Sequence, residues 1–307
     1  MRRRSFVRDM LAFVAATAAA TTRPAHAQAP TLTPMLTRPI PRSGEQLPVI
    51  GLGTWQTFDP SDLTPTVLAE LEATLRVFVD AGGRVLDSSP MYGKSQSVAG
   101  SLSKKLGIND TLFVATKVWT SGEQAGIAQM NDSMRELQRT KIDLMQVHNL
   151  VDWRTHLATL RRWKDEGRIR YLGVTHYQAS AFDELERIIS RERIDFVQLP
   201  YSVGYRGAER RLLPAAASAG VAVIVNRPFE GGTLFRTALR TPLPASVREW
   251  AESWPQAFLK FVLAQSAVTC VIPGTGNPRH MRDNAQAGVG RLPTEREREE
   301  LVRALPG

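Results

Sequence analysis

The stretch PVIGLGTW (residues 48–55) decides the fold. An apolar run that ends in Gly51-Leu52-Gly53 has two readings. In one it opens a doubly wound sheet, and the glycines turn the chain around a dinucleotide phosphate onto a helix. In the other it is one strand of a closed barrel. The phosphate turn needs a third glycine at position 56, which is Gln56, and a helix starting there; none is patterned. As a dinucleotide fingerprint the stretch is poor.

Counting outward from it favours the barrel. Short apolar runs recur as RVLD (84–87), LFVATK (112–117), LMQVH (144–148), YLGVT (171–175), FVQLP (196–200), VAVIVN (221–226) and CVIP (270–273). With PVIGLG (48–53) they make eight expected buried strands, several β-branched and most ending in polar or turn residues. Between them lie amphipathic stretches at helical spacing, such as 67–82, 125–139, 153–168 and 182–193, with Gly82 and Gly167 placed as C-caps. Strand and helix alternating through short links imply parallel strands joined by right-handed crossovers. Eight such units predict a single α/β domain, a (β/α)8 TIM barrel, whose chemistry stands at the carboxyl ends of its strands.

The termini and composition bound the rest. MRRRSFVRDMLAFVAATAAATTRPAHA (1–27) has a basic start, a modest apolar middle and a small-x-small Ala25-His26-Ala27 end. With Arg3-Arg4 it resembles a twin-arginine export signal, so the protein is expected to be exported, to a periplasm. Its apolar run is too short for a stable membrane span. Residues 28–37 read as a flexible lead-in and 38–307 as the folded domain. The leader carries five arginines and one aspartate of a chain with formal net charge +9. The remaining charge is spread along the sequence, with no basic stripe interleaved with aromatics, so nucleic acid is not an expected partner. One cysteine, Cys270, excludes an internal disulfide and reads as a buried strand residue. No HxxxH, HxH or CxxC spacing is present, and no metal site is expected.

Four acid–base residues fall at one rim of the expected barrel. Asp87 ends the second strand, Tyr92 follows in its loop, Lys117 ends the third strand and His148 the fourth. Burial alone lowers a lysine pKa, whereas a carboxylate such as Asp87 holds it charged. A Tyr92 hydroxyl beside that ammonium is expected at a lowered pKa, as a proton donor to a carbonyl. His148 is placed to orient the carbonyl. Singly, Lys117 also reads as an ion-paired strand end and His148 as a satisfied loop histidine.

GLGTW (51–55), LDSSPMYGKSQSVAG (86–100), ATKVW (115–119), IDLMQVHN (142–149), GRIRYLGVT (167–175) and VIPGT (271–275), in this order and at these spacings, resemble the aldo-keto reductase family across about residues 38–305. RPIPRSGEQLP (38–48) resembles the N-terminal β-hairpin that closes the bottom of that family's barrel. The resemblance implies that Tyr92 is the general acid, Lys117 tunes it, Asp87 holds Lys117 and His148 orients the substrate. It implies a nicotinamide cofactor across the mouth, NADP(H) ahead of NAD(H), touching Thr54, Trp55, Asp87, Thr175, His176, Gln198, Arg227, Pro228, Gly274, Thr275, Arg279, His280, Asp283 and Asn284. His176 stands where the family usually has Asn, and Arg227 where many members stack a Tyr on the nicotinamide. Trp55, Trp119 and Trp153 follow strand ends and read as a substrate pocket, or equally as rim packing. The segment 227–256 exceeds a normal loop and reads as a cover for the cofactor. The implied activity is reduction of an aldehyde, ketone or sugar carbonyl, or the reverse oxidation, by a protein that is commonly monomeric. The alternative is a cofactor-holding redox sensor or partner-binding module with little turnover.

Overall fold

A computed structural model of the chain describes residues 34–305. The expected leader and residues 28–33 lie outside the described residues. Residues 34–37 do not behave as a loose lead-in: Met35 is buried, and the Leu36 N–H donates to the Gly288 carbonyl at 2.7 Å.

A hairpin of β1 (Thr37–Pro39) and β2 (Gln46–Pro48) precedes the barrel. Eight strands follow in chain order: β3 (Leu52–Gly53), β4 (Val85–Asp87), β5 (Phe113–Val118), β6 (Ile142–His148), β7 (Ile169–Thr175), β8 (Phe196–Pro200), β9 (Ala222–Asn226) and β10 (Val268–Val271). Each pairs in parallel with the next. The helices outside them are α1 (Pro65–Asp80), α2 (Ser95–Lys105), α3 (Glu123–Glu136), α4 (Trp153–Asp165), α5 (Phe182–Arg191) and α6 (Leu212–Ala219). The short α7 (Phe235–Ala238) and α8 (Ala245–Arg248) lead to α9 (Trp254–Leu263), α10 (Pro278–Gln286) and α11 (Glu295–Ala304). Helix starts carry their own signals. Thr64, Ser253, Asn277 and Thr294 each cap with a side-chain oxygen, satisfying amides that a first turn leaves unpaired.

The opening stretch is not one continuous strand. Pro48 ends the hairpin, and only Leu52-Gly53 pairs as a strand with β4. The residues between form the seam that closes the barrel. Val271 N–H donates to the Val49 carbonyl at 2.9 Å, Gly51 N–H to Val271 at 2.8 Å and Gly53 N–H to Pro273 at 3.1 Å. At Gly51 a Cβ would lie 2.8 Å from the Val85 carbonyl oxygen and 2.9 Å from Ile272 Cγ2; at Gly53, 3.0 Å from the Ile272 oxygen. These glycines let the first strand squeeze between β4 and β10, a close approach of backbones rather than of phosphate.

Inside the barrel the period of two sorts residues by depth. Val85, Phe113, Leu144, Tyr171, Phe196, Ala222 and Cys270 form an apolar plug at the bottom. Two residues further along several strands the interior turns polar, with Asp87, Gln146 and Gln198. Lys117 and His148 then stand near the mouth. Below the plug the hairpin is pinned by two arginines. Arg38 donates to the carbonyls of Leu263, Gln265 and Val268, and Arg42 to those of Ala219 and Gly220 at the end of α6.

Candidate active site

β4 and β5 lie side by side with Asp87 opposite Ala115, which brings Lys117 over the β4 carboxylate. Lys117 is fully buried, and its ammonium donates to Asp87 Oδ1 and to the Ser88 carbonyl, each at 2.6 Å. Asp87 Oδ2 accepts from Gln198 Nε2 at 2.9 Å and from Gln146 Nε2 at 3.4 Å. Burial pulls the Lys117 pKa down, but Asp87 and then Tyr92 more than offset it, and the pKa is raised. The residue is a fixed cation.

The turn after Asp87 closes through Ser88, Ser89 and Pro90, where Tyr92 N–H donates to the Ser89 carbonyl at 3.0 Å. It sets the Tyr92 ring so that Lys117 Nζ is 4.9 Å from the ring centroid. The ring meets His148 edge-on with centroids 5.8 Å apart. His148 Nδ1 lies 3.0 Å from Ser89 Oγ. Burial, then the Lys117 charge, then His176, drive the His148 pKa down to about 2, so the imidazole is neutral. For Tyr92 the expectation of a lowered pKa is reversed. Burial raises it by more than Lys117 lowers it, with the Asp87 charge adding to the rise. The hydroxyl keeps its proton through neutral pH.

Above these groups lies a cavity of about 830 Å³. Its walls carry Trp55, Met91, Trp119, Tyr177, Phe229 and Phe235. Trp55, Trp119 and Tyr177 keep 45%, 41% and 45% of their surface exposed around the mouth, a concentration of apolar surface that marks a binding rim. Among the described residues no group of three or more His, Cys, Asp or Glu is placed to hold a metal, and no helix is long and apolar enough to cross a membrane.

Residues 49–299 match the family model described as the aldo/keto reductase family. The chain belongs to that family. Methylglyoxal reductase YeaE of Escherichia coli K12 is 27% identical over 250 residues, covering 78% of this chain and 84% of that protein. An NADH-specific methylglyoxal reductase of the same organism is 26% identical and covers 78% of this chain and 89% of its own. Among solved structures, the Klebsiella pneumoniae aldo-keto reductase in complex with NADPH has a TM-score of 0.72 at 23% identity. It covers 86% of this chain and 93% of that one, a likeness of fold.

In this family member the fold brings Asp87, Tyr92 and His148 to one cavity floor, with Lys117 buried against the Tyr92 ring. Thr54, Trp55, Thr175, Gln198, Arg227, Pro228 and Gly274 also reach the cavity. Thr54 spends its hydroxyl on the Asp87 carbonyl and Ser88 Oγ, at 3.0 and 2.9 Å. Thr175 donates to Gln198 Oε1 at 3.1 Å. His176 turns away: its Nδ1 accepts the Gln178 N–H at 3.1 Å, and its ring stacks on Tyr177. Trp153 is also off the cavity. Asn149, Leu150 and Asp152 adopt left-handed φ of 52°, 58° and 46°, swinging the chain outward. The Trp153 indole then donates to Glu184 at 3.1 Å, with Arg154 over its ring. Thr275, Arg279, His280, Asp283 and Asn284 lie beyond the cavity, on the approach to α10 and its first turns. Asp283 there accepts from Ser253 and Gln256.

Two groups the sequence reading passed over complete the wall. Asn226 donates to Gln198 Oε1 at 3.2 Å and to the His176 carbonyl at 3.4 Å. Its own Oδ1, like that of Asn149, is buried without a partner. An orphaned acceptor on a cavity wall is costly unless a ligand donor meets it. A primary carboxamide offers two such donors, so these residues fit a nicotinamide head. Asn226 is the last residue of its strand, and the rule that picked out Lys117 and His148 would have found it. Gln146, two residues before His148 on the same inward face, was open to the same reading.

Proposed function

We propose that the protein reduces the carbonyl of an aldehyde or ketone with an apolar body, with Tyr92 as the proton donor. The observation that carries the proposal is a protonated tyrosine and a neutral histidine on the floor of one aromatic-rimmed cavity, with a locked lysine cation buried against the tyrosine ring.

A bound nicotinamide cofactor supplies the hydride that the carbonyl carbon accepts. Thr175, Gln198, Asn226 and Asn149 are the polar groups of the wall for its carboxamide. The carbonyl oxygen gathers negative charge as it is reduced, and Tyr92 Oη gives it a proton. Lys117 stabilises the phenolate left behind, and Asp87 keeps that cation in place. His148, being neutral, does not exchange a proton in this range; it donates a hydrogen bond to the carbonyl oxygen and so orients it. Tyr92 protonated at rest suits reduction over oxidation, which needs the phenolate. Trp55, Met91 and Trp119 at the rim favour substrates with an apolar or aromatic body.

The cofactor is NADP(H) in this proposal, since Arg279 and Arg282 are exposed at the start of α10. Binding of NADPH and NADH, followed by fluorescence, tests that preference, and NADH binding tighter than NADPH overturns it. Export by the twin-arginine leader belongs to the same proposal, with cell fractionation as its test. The function itself is tested with Tyr92→Phe. Cofactor binding should be retained while aldehyde-dependent cofactor oxidation falls by about 10²–10⁴-fold. Unchanged turnover in that variant refutes the assigned acid.

A further inference from the structure

Ser89 touches the catalytic group His148 yet has no part in the chemistry just proposed. Its side chain is fully buried, and Oγ lies 3.0 Å from His148 Nδ1. The same oxygen accepts the Met91 N–H at 3.4 Å. A serine hydroxyl has one proton and two lone pairs, and a neutral imidazole has one protonated and one bare nitrogen. Two arrangements therefore satisfy the 3.0 Å contact. Either the ring donates from Nδ1 to the serine oxygen, or the serine donates to a bare Nδ1.

The surroundings choose between them. Among the described residues no acceptor other than Nδ1 lies within hydrogen-bond reach of the Ser89 hydroxyl. If the ring donated, a buried hydroxyl proton would be left unpaired, at the cost of a whole desolvated donor. If the serine donates, Oγ receives Met91, gives to Nδ1, and every proton in the turn has a partner. We infer that Ser89 is a positioning residue that holds His148 in the tautomer with Nδ1 bare and Nε2 protonated. The opposite nitrogen then stands ready as a hydrogen-bond donor to a carbonyl oxygen in the cavity.

The inference also explains the order of residues in the turn. Lys117 takes the Ser88 carbonyl, the Ser88 hydroxyl meets Thr54, and the Ser89 hydroxyl meets His148. One tight turn therefore fixes both partners of Tyr92, the lysine through its backbone and the histidine through its side chain. A residue without a hydroxyl at position 89 would leave the imidazole free to take either tautomer, and only one of them can donate to the substrate.

The consequence for the carbonyl rests on the reductase reading, whereas the tautomer does not, so the two are measured separately. Nuclear magnetic resonance of the full chain, carrying isotope-labelled histidine, reports the tautomer of each ring through its nitrogen shifts and two-bond couplings. The wild-type His148 ring should be protonated at Nε2. Ser89→Ala should shift the population toward Nδ1–H by about three- to tenfold, the worth of one hydrogen bond, and Ser89→Thr should restore it. In turnover, Ser89→Ala should lower kcat by a similar factor with cofactor affinity unchanged. A wild-type ring protonated at Nδ1 overturns the assignment without any variant having to fold. So does an unchanged tautomer ratio in Ser89→Ala. A tautomer that shifts as stated in a protein that reduces no carbonyl upholds Ser89 as the positioning residue and sinks the reductase reading instead.

Discussion

Replacing Asp87 by Asn removes one charge from the least forgiving place in the molecule. The carboxylate accepts Lys117 on one oxygen and Gln198 and Gln146 on the other, with Lys117 and Asp87 both almost wholly out of water. An asparagine has a single acceptor oxygen, so whichever way its amide turns, an NH2 group faces either the ammonium or the glutamine donors. Lys117 keeps the Ser88 carbonyl and the Tyr92 hydroxyl as partners, but no opposite charge. Breaking a buried pair from one side costs about 3–5 kcal/mol, because the remaining charge is uncompensated. Asp87→Asn is therefore expected to lower stability by about that amount, and Lys117→Met by a comparable one. The double variant leaves neither charge of the pair and should be more stable than the sum of the single losses implies, by about 1–3 kcal/mol. Urea unfolding of the four proteins, at constant slope, measures the cycle. Losses that add to within about 0.5 kcal/mol would show that the two groups do not act as a pair.

Acid should expose the neutral histidine. The folded His148 ring resists protonation down to about pH 2, whereas an unfolded one takes a proton below its ordinary 6.5. Between these values the unfolded state binds more protons, so stability falls as pH drops from 6.5. By about pH 5 the loss is roughly 2 kcal/mol relative to neutral pH; His148→Gln should lack that part of the slope in urea midpoints, and equal slopes would refute the neutral buried ring. Trp119→Ala is expected to raise KM about tenfold for aldehydes with an aromatic body and to leave small aliphatic ones nearly unchanged; equal effects on both would remove the rim from substrate selection. Arg38→Ala, which strips three carbonyls of a charged donor, should cost about 1.5–3 kcal/mol with kcat unaltered, measured by unfolding and turnover together.

The barrel and Asp87, Lys117 and His148 were legible because they follow from periods, whereas Tyr92 was legible from the turn after Asp87 and the family resemblance it carries. Alternation of strand and helix counts the eight units, and the last inward position of a strand is a place that sequence marks directly, as at Lys117 and His148. What depends on depth was not legible. Neighbours of Tyr92 can be listed from the chain, but the burial that outweighs Lys117 and raises its pKa cannot. The choice between pocket wall and packing at Trp153 was open for a different reason. Asn149 and Asp152 tolerate a left-handed backbone, yet Leu150 adopts it too, and nothing in NLVDW announces that the chain will leave the rim. α6 hides for a third reason: LLPAAASA has a proline in its first turn and too little polarity to show a face.

The seam beside Gly51 also sets a clock. Arg38 finds its carbonyl partner Gln265 at a distance of 227 residues along the chain, and Val49 waits for Val271. A ribosome delivers the amino end first, so the first strand can pair with β4 early, but its other edge stays open until the last strand has been made. Closing so long a loop adds only slowly to the entropic cost, but it cannot happen early at any cost. The closed ring of strands around the cavity therefore comes into being as a late event of synthesis, when the two edges of the sheet meet.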